Sequence, residues 1–216
     1  MLKLLKQKIK SNNFFRLERI RLRLKKTDFE INIYDAGAGS RFDKSPVRSV
    51  KSILRKSCSS LPKTLFVNFL IKKYHSVRIL ELGTCLGINA LRLAAFNPQS
   101  RFISVDADPY LIRYAHRLKL LLGVENVEFV KADFDSVLEN LLKSFRPDFI
   151  FMDGNHRYDP TMRYFSLICE LASQKTIILI DDIDWSREMK KVWKDIDCQR
   201  IILKRSFVKM GLIVIE

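Results

Sequence analysis

Two stretches of the sequence bring together residue types that can do chemistry. The first is Glu81-Leu-Gly-Thr-Cys-Leu-Gly87, directly after an apolar run. Glycine permits a sharp turn and lets the backbone approach a ligand closely. A plain strand-to-helix turn is the alternative reading. The second is a pair of acidic strand ends. The apolar run 148–152 leads into Asp153-Gly-Asn-His-Arg-Tyr158, and 176–180 leads into Asp181-Asp182-Ile-Asp184-Trp185. Adjacent parallel strands lie about 4.8 Å apart. On such a pair Asp153, Asp181 and Asp182 converge on one point. Clustered carboxylates repel unless they are protonated or hold a cation, and oxygen ligands suit Mg²⁺ or Ca²⁺. Alternatively, Asp181 and Asp182 only end a strand and cap the next helix.

Between these stretches lie Asp106, Asp133 and Phe134. Asp106 ends the run Phe102-Ile-Ser-Val-Asp106, where a carboxylate can accept both ribose hydroxyls of an adenosine ligand. It can also be a helix cap, since Asp106 and Asp108 both precede a helical pattern. Asp133 and Phe134 suit an adenine amine and an adenine face, although Asp133 or Asp135 is equally suited to capping. A dinucleotide oxidoreductase would want Gly-x-Gly-x-x-Gly, and Gly83-Thr-Cys-Leu-Gly87 lacks that spacing.

From Val77 onward, apolar runs alternate with amphipathic ones. Strands are predicted at 77–82, 101–105, 127–131, 148–152, 176–180, 199–204 and 208–215. Helices are predicted at 87–96, 109–122, 135–144, 159–173 and 185–195. This alternation implies a mostly parallel seven-stranded sheet with helices on both faces. The last two strands have no helix between them and are expected to form an antiparallel hairpin. Residues 1–75 read as a separate N-terminal extension or lid, and 76–216 as the main domain. Within the extension, Leu2, Leu5 and Ile9 share one helical face. Arg19 to Lys25 instead alternates with a two-residue period and suits an edge strand, so helix and strand readings conflict there. Tyr34 to Ser40 is predicted as a loop. Residues 46–75 are predicted as one or two helices, with Val50, Ile53, Leu54, Leu65, Phe66, Phe69 and Leu70 facing a core.

With these residues in place, Val77 to Glu216 resembles class I S-adenosylmethionine-dependent methyltransferases. It is most similar to the small O-methyltransferases of the catechol and macrocin type. Cys85 stands where the broader superfamily carries a third glycine. The resemblance implies a Rossmann-like three-layer α/β fold whose mixed seven-stranded sheet has an antiparallel last strand. It assigns Glu81, Gly83, Gly87 and neighbouring Thr84 to the methionine part of S-adenosylmethionine and its turn. It gives Asp106 with Ala107 to the ribose, Asp133 with Phe134 to the adenine, and Asp153 to the cofactor's reactive end. It also implies Mg²⁺ or another divalent cation on Asp153, Asp181 and Asp182, where Asp182 replaces an asparagine of the pattern. His156 stands where those enzymes carry a lysine general base, and histidine takes a hydroxyl proton readily near neutral pH. The alternative for His156 is a solvent-exposed loop residue before the next helix. Trp185 and Tyr158 are candidates for the substrate wall or for packing. Asp35 to Ser40 resembles the N-terminal flank of some bacterial relatives, with no role attached.

Net charge is +15. Residues 1–75 hold 19 Lys and Arg against 5 Asp and Glu, a balance of +14, and the remainder is nearly neutral. A lid rich in lysine, contact with an anionic substrate or membrane surface, and RNA binding are the three readings of that arm. Nucleic acid is the weakest, because no Asn or Asp followed by Pro-Pro and an aromatic follows the fourth strand. No transmembrane run or secretory signal is visible. Cys58, Cys85, Cys169 and Cys198 lack metal or disulfide-framework spacing, which suggests a reducing, cytoplasmic setting. The expected reaction is methyl transfer to a hydroxyl of a small molecule, with His156 as base and a homodimer as a common assembly. An RNA or lipid methyltransferase and a non-catalytic S-adenosylmethionine-binding protein are the alternatives.

Overall fold

The computed structural model describes residues 2–34 and 45–216, with side chains from Asn13 onward. The Gly37–Ser40 loop and the Leu2, Leu5, Ile9 face therefore lie outside what is described. The chain forms α1 (Leu2–Leu24), β1 (Glu30–Asn32), β2 (Val47–Ser49), α2 (Val50–Lys56) and α3 (Leu61–Lys73). It continues with β3 (Arg78–Leu82), α4 (Ile88–Phe96), β4 (Arg101–Asp106), α5 (Pro109–Leu122) and β5 (Val127–Lys131). Then come α6 (Phe134–Ser144), β6 (Phe149–Met152), α7 (Tyr158–Leu171), β7 (Thr176–Ile180), α8 (Arg187–Asp195), β8 (Ile201–Phe207) and β9 (Met210–Ile215).

Seven strands form one sheet in the order β5-β4-β3-β6-β7-β9-β8. The strands from β3 to β7 are mutually parallel, and β9 runs antiparallel to both β7 and β8. Only the last strand is thus reversed, as the sequence predicts. Both faces of the parallel strands are apolar, as burial on two sides requires. Ile79, Phe149 and Phe151 pack with α1 to α5, whereas Leu80, Ile150 and Met152 pack with α6 to α8. Local signals place the helix ends. Asp108 accepts from the backbone N–H of Tyr110 and Leu111, Pro109 opens α5, and Gly123 closes it at φ 63°.

The strand reading of residues 19–25 is corrected: α1 runs through them. Leu17, Ile20 and Leu24 are spaced three and four apart, so a helix puts all three on the core. Leu22, which the two-residue period would place beside Ile20 and Leu24, is exposed. Phe14 meets Phe96 of α4 with ring centroids 4.8 Å apart. Of the apolar positions expected on α2 and α3, Val50, Ile53, Leu54 and Leu70 are buried, whereas Leu65 and Phe69 are exposed. The small β1–β2 hairpin, pairing Glu30 with Ser49, was not anticipated. No helix among the described residues is long and apolar enough to cross a membrane.

Candidate active site

The strand order turns around between β3 and β6. From β3 the chain steps outward to β4 and β5, then returns to β6 on the other side. Ligands of open α/β sheets sit at the carboxyl end of such a switch point. There Leu82 pairs with Met152, so the loops starting at Gly83 and Asp153 lie against each other. Gly83 is at φ +112°, and a Cβ on it would fall 2.2 Å from the Asp153 carbonyl oxygen. No other residue type fits. Gly87 caps α4 at φ +75°, where a Cβ would fall 2.7 Å from that of Ala115.

A cavity of about 390 Å³ opens above this edge, within the size range of small-ligand sites. One side is walled by Gly83, Thr84, Asp106, Ala107, Asp133 and Phe134. Asp106 accepts from the Cys85 N–H at 2.9 Å and the Asp108 N–H at 3.1 Å. Burial pushes its carboxyl above the usual range, against the pull of those two N–H groups. Asp133 stands at the N-cap of α6 without a side-chain capping bond, and its side chain is exposed at the cavity. Phe134 packs edge-on against Tyr164, and a Cβ on Gly154 would fall 3.0 Å from its ring.

Glu81 and Gly87 are not in the wall. Glu81 is only 3% exposed and lies beneath the turn, accepting from Asn89 Nδ2 at 2.7 Å and from Ser104 Oγ. Ser104 in turn bonds Thr84 at 2.7 Å. Burial pushes the Glu81 carboxyl up to about 7. On the other side Asn89 accepts from Thr64 of α3 at 2.7 Å. A buried polar chain thus runs from the extension, through Glu81, to the turn.

The opposite wall holds Asp153, Asn155, His156, Asp182 and Trp185. Asn155 and Asp182 adopt positive φ, as does Cys85 across the cavity. Backbone strain of this kind gathers at functional sites. His156 Nε2 lies 4.0 Å from Asp153 Oδ1, and its ring is 5.6 Å from Trp185. Burial holds His156 below its ordinary value, and Lys63 adds to this, while Asp182 and Asp181 pull the other way. The imidazole is therefore neutral, and able to accept a proton, at neutral pH. Tyr158 is not in the wall; its hydroxyl donates to Asp195 at 2.8 Å. Nor is His116, whose Nε2 meets the Phe129 carbonyl at 3.1 Å.

The three acids do converge, but on a lysine. Lys63 of α3 donates from Nζ to Asp181 Oδ2, and Asp181 is completely buried. Ser59, four residues earlier, donates to Asp153 Oδ2 at 3.0 Å. Burial alone would depress the Lys63 ammonium, but Asp153, Asp181 and Asp182 together raise it above its ordinary value. Burial, followed by repulsion from Asp181, raises the carboxyls of both Asp153 and Asp182. Among the described residues no group of three or more His, Cys, Asp or Glu side chains is arranged to hold a metal ion. With the Lys63 ammonium already paired to Asp181, the expected cluster of Asp153, Asp181 and Asp182 does not fit a divalent cation.

Lys63, Ser59 and Cys58 are among the wall residues that the sequence reading missed. No motif marks them. Ser60 caps α3 by accepting from the Lys63 N–H at 3.4 Å, and this local signal places the helix but not its lysine.

Residues 80–183 match the family model described as a methyltransferase domain. That stretch is therefore similar to a methyltransferase domain. Over 62 residues it is 34% identical to ribosomal RNA small subunit methyltransferase G of Methylococcus capsulatus, a match to 29% of this chain. The matched stretch is 30% of that relative's length, well under two thirds. Among solved structures, the domain resembles the SAH-bound methyltransferase PaMTH1 of Podospora anserina, with TM-score 0.64 and 19% identity. That match covers 74% of this chain and 80% of the other. The O-methyltransferase from Bacillus cereus in complex with SAH has TM-score 0.61 and 19% identity, covering 74% and 83%. TomG of Streptomyces achromogenes, involved in tomaymycin synthesis and solved with SAM, has TM-score 0.57 and 17% identity, covering 74% and 82%. At these identities the likeness is one of fold.

Proposed function

We propose that the protein transfers the methyl group of S-adenosylmethionine to a hydroxyl oxygen of a small molecule. One observation carries this reading. The turn at Gly83, the acid Asp106 and the ring of Phe134 share a single cavity with Asp153 and His156. Cofactor and acceptor therefore meet in one space. The SAH- and SAM-bound O-methyltransferases of similar fold support it. When bound, the cofactor supplies an electrophilic methyl on a sulfonium. The protein's task is then to align the acceptor oxygen and remove its proton, and positioning supplies much of the rate. Asp106 and Ala107 would hold the ribose, and Asp133 and Phe134 the adenine. Glu81, under the turn, would fix the methionine end through Ser104 and Thr84. His156 would take the acceptor proton as the oxygen–methyl bond forms and S-adenosylhomocysteine leaves.

Calorimetric titration with S-adenosylhomocysteine tests the cofactor half. Saturable binding, weakened in Asp106→Ala, is the expected result. No binding in the wild type would overturn the assignment. His156→Ala should cut turnover by about a hundredfold. The acidic limb of kcat/KM should lie below 6.5, because burial lowers the imidazole.

A second reading, an RNA methyltransferase, draws on the ribosomal RNA relative and the +14 of residues 1–75. The same arm also suits an anionic small acceptor or lipid surface. Binding to a short RNA that falls steeply with salt would favour the RNA reading.

A further inference from the structure

The acidic edge of the cavity is built around a cation that belongs to the chain. Asp181 is completely buried at the end of β7, and an isolated carboxylate there would be strongly disfavoured. One of its oxygens is held by the Lys63 ammonium, and the other, Oδ1, has no hydrogen-bond partner. Asp153 is the next carboxylate, and Asp182 stands in the cavity wall beside it. One short segment satisfies both inner acids. Ser59 reaches Asp153, and Lys63, on the first turn of α3, reaches Asp181. Lys63 also lines the cavity itself.

The segment is anchored independently of the acids. Arg92 of α4, only 1% exposed, donates to the Ser59 carbonyl at 3.0 Å and pairs with Glu18 of α1 at 2.7 Å. Thr64, next to Lys63, is buried and bonded to Asn89. The helix therefore presents its lysine at a fixed place, and does not merely trail a flexible side chain across the surface.

We propose that Lys63 is the resident cation of this site, a positioning residue in the place where three carboxylates would otherwise gather a divalent metal. Its ammonium holds Asp153 and Asp181 in register and keeps a positive charge at the acceptor end of the cavity. The site accordingly binds no divalent cation while Lys63 is in place. The role of that charge toward an acceptor oxygen rests on the methyl-transfer reading; the exclusion of metal does not.

The probe is Mn²⁺, a hard cation suited to carboxylates, followed by the loss of its free electron-spin-resonance signal. The full-length wild type should leave that signal unchanged. Lys63→Met should bind one Mn²⁺ at least about tenfold more tightly than the wild type, and adding Asp181→Asn should abolish the gain. Mn²⁺ should raise the melting temperature of Lys63→Met and not that of the wild type. If Lys63→Met folds poorly, Lys63→Arg keeps a cation and should fold and stay silent to Mn²⁺. Stoichiometric Mn²⁺ binding by the wild type, lost in Asp181→Asn, would overturn the proposal. So would a folded Lys63→Met that gains no Mn²⁺, or a Lys63→Arg that binds it equally. S-adenosylhomocysteine titration of the same samples separates the two readings. Failure of the wild type to bind it removes the methyl-transfer reading and leaves the Mn²⁺ result standing.

Discussion

The two walls of the cavity are built differently. The wall of Gly83, Asp106 and Phe134 is made by local geometry: a glycine at positive φ, an acid two residues before a helix cap, an aromatic on the first turn of α6. Its polar side-chain contacts span about twenty residues, such as Cys85 to Asp106 at 2.9 Å, and its one long reach is the backbone approach of Gly83 to Asp153. The acidic wall is closed by a contact across 118 positions, from Lys63 to Asp181. The first wall tolerates little change in shape, whereas the second depends on the extension docking correctly.

Breaking the glycine wall should have the largest effect. In Gly83→Ala the new methyl would meet the Asp153 carbonyl at 2.2 Å, with the backbone in a region that alanine avoids. Loss of S-adenosylhomocysteine binding, and melting well below the wild type, are expected; a normal melt with intact binding would show that the two loops are not pressed together. Next comes Lys63→Met, which strands a fully buried carboxylate and should cost about 3 kcal/mol by denaturant melts. Asp181→Asn in the same chain should recover much of it. Recovery failing would mean that the lysine's packing, and not its charge, matters at this wall.

Glu81 gives an effect of similar size that depends on pH. Its carboxyl is raised from 4.5 to about 7, so between these values the folded protein binds more protons than the unfolded chain. Stability from this group is full below pH 4.5 and is lost as pH rises through 7. In Glu81→Gln that loss should vanish, making the variant gain on the wild type by up to about 3 kcal/mol from pH 5 to 8. Parallel pH profiles would remove Glu81 as the titrating group.

Smaller tests concern how the walls touch. Cys58 of the extension and Cys85 of the turn are free thiols with Sγ atoms 3.4 Å apart. The hydrogen bond between the two thiols holds Cys58 below its ordinary value despite burial. Diamide should cross-link the pair, as shown by peptide mapping; an extension docked elsewhere would leave them unlinked. Smallest is Tyr158→Phe, which loses only its bond to Asp195 outside the cavity and should leave turnover unchanged.

The sequence reading succeeded where the physics is local. Alternation of apolar runs located all seven strands of the main sheet to within two or three residues at each end. Glycine scarcity drew attention to Gly83, and strand-end acids to Asp106 and Asp153, all of which line the cavity, whereas Gly87 does not. It failed where one pattern served two periods, as in Arg19 to Lys25. There the residues at 17, 20 and 24 settled the matter through a core that the sequence does not display. It also failed on the occupant of the acidic edge. Three acids at strand ends call for a positive charge, but nothing near them in sequence says whether it is a metal or a side chain. Lys63 is one of 19 basic residues in the first 75, and only the fold distinguishes it.

The Arg92–Glu18 pair has a consequence for that lysine. A dissolved ion occupies its site according to its concentration in the surroundings. A side chain on backbone anchored four residues away, at the Ser59 carbonyl, is present at an effective concentration set by geometry alone. Dilution or chelation cannot remove it. The charge of the acidic wall is instead coupled to the docking of α1 and α3, so local unfolding of these helices would empty the wall and uncover it in one step.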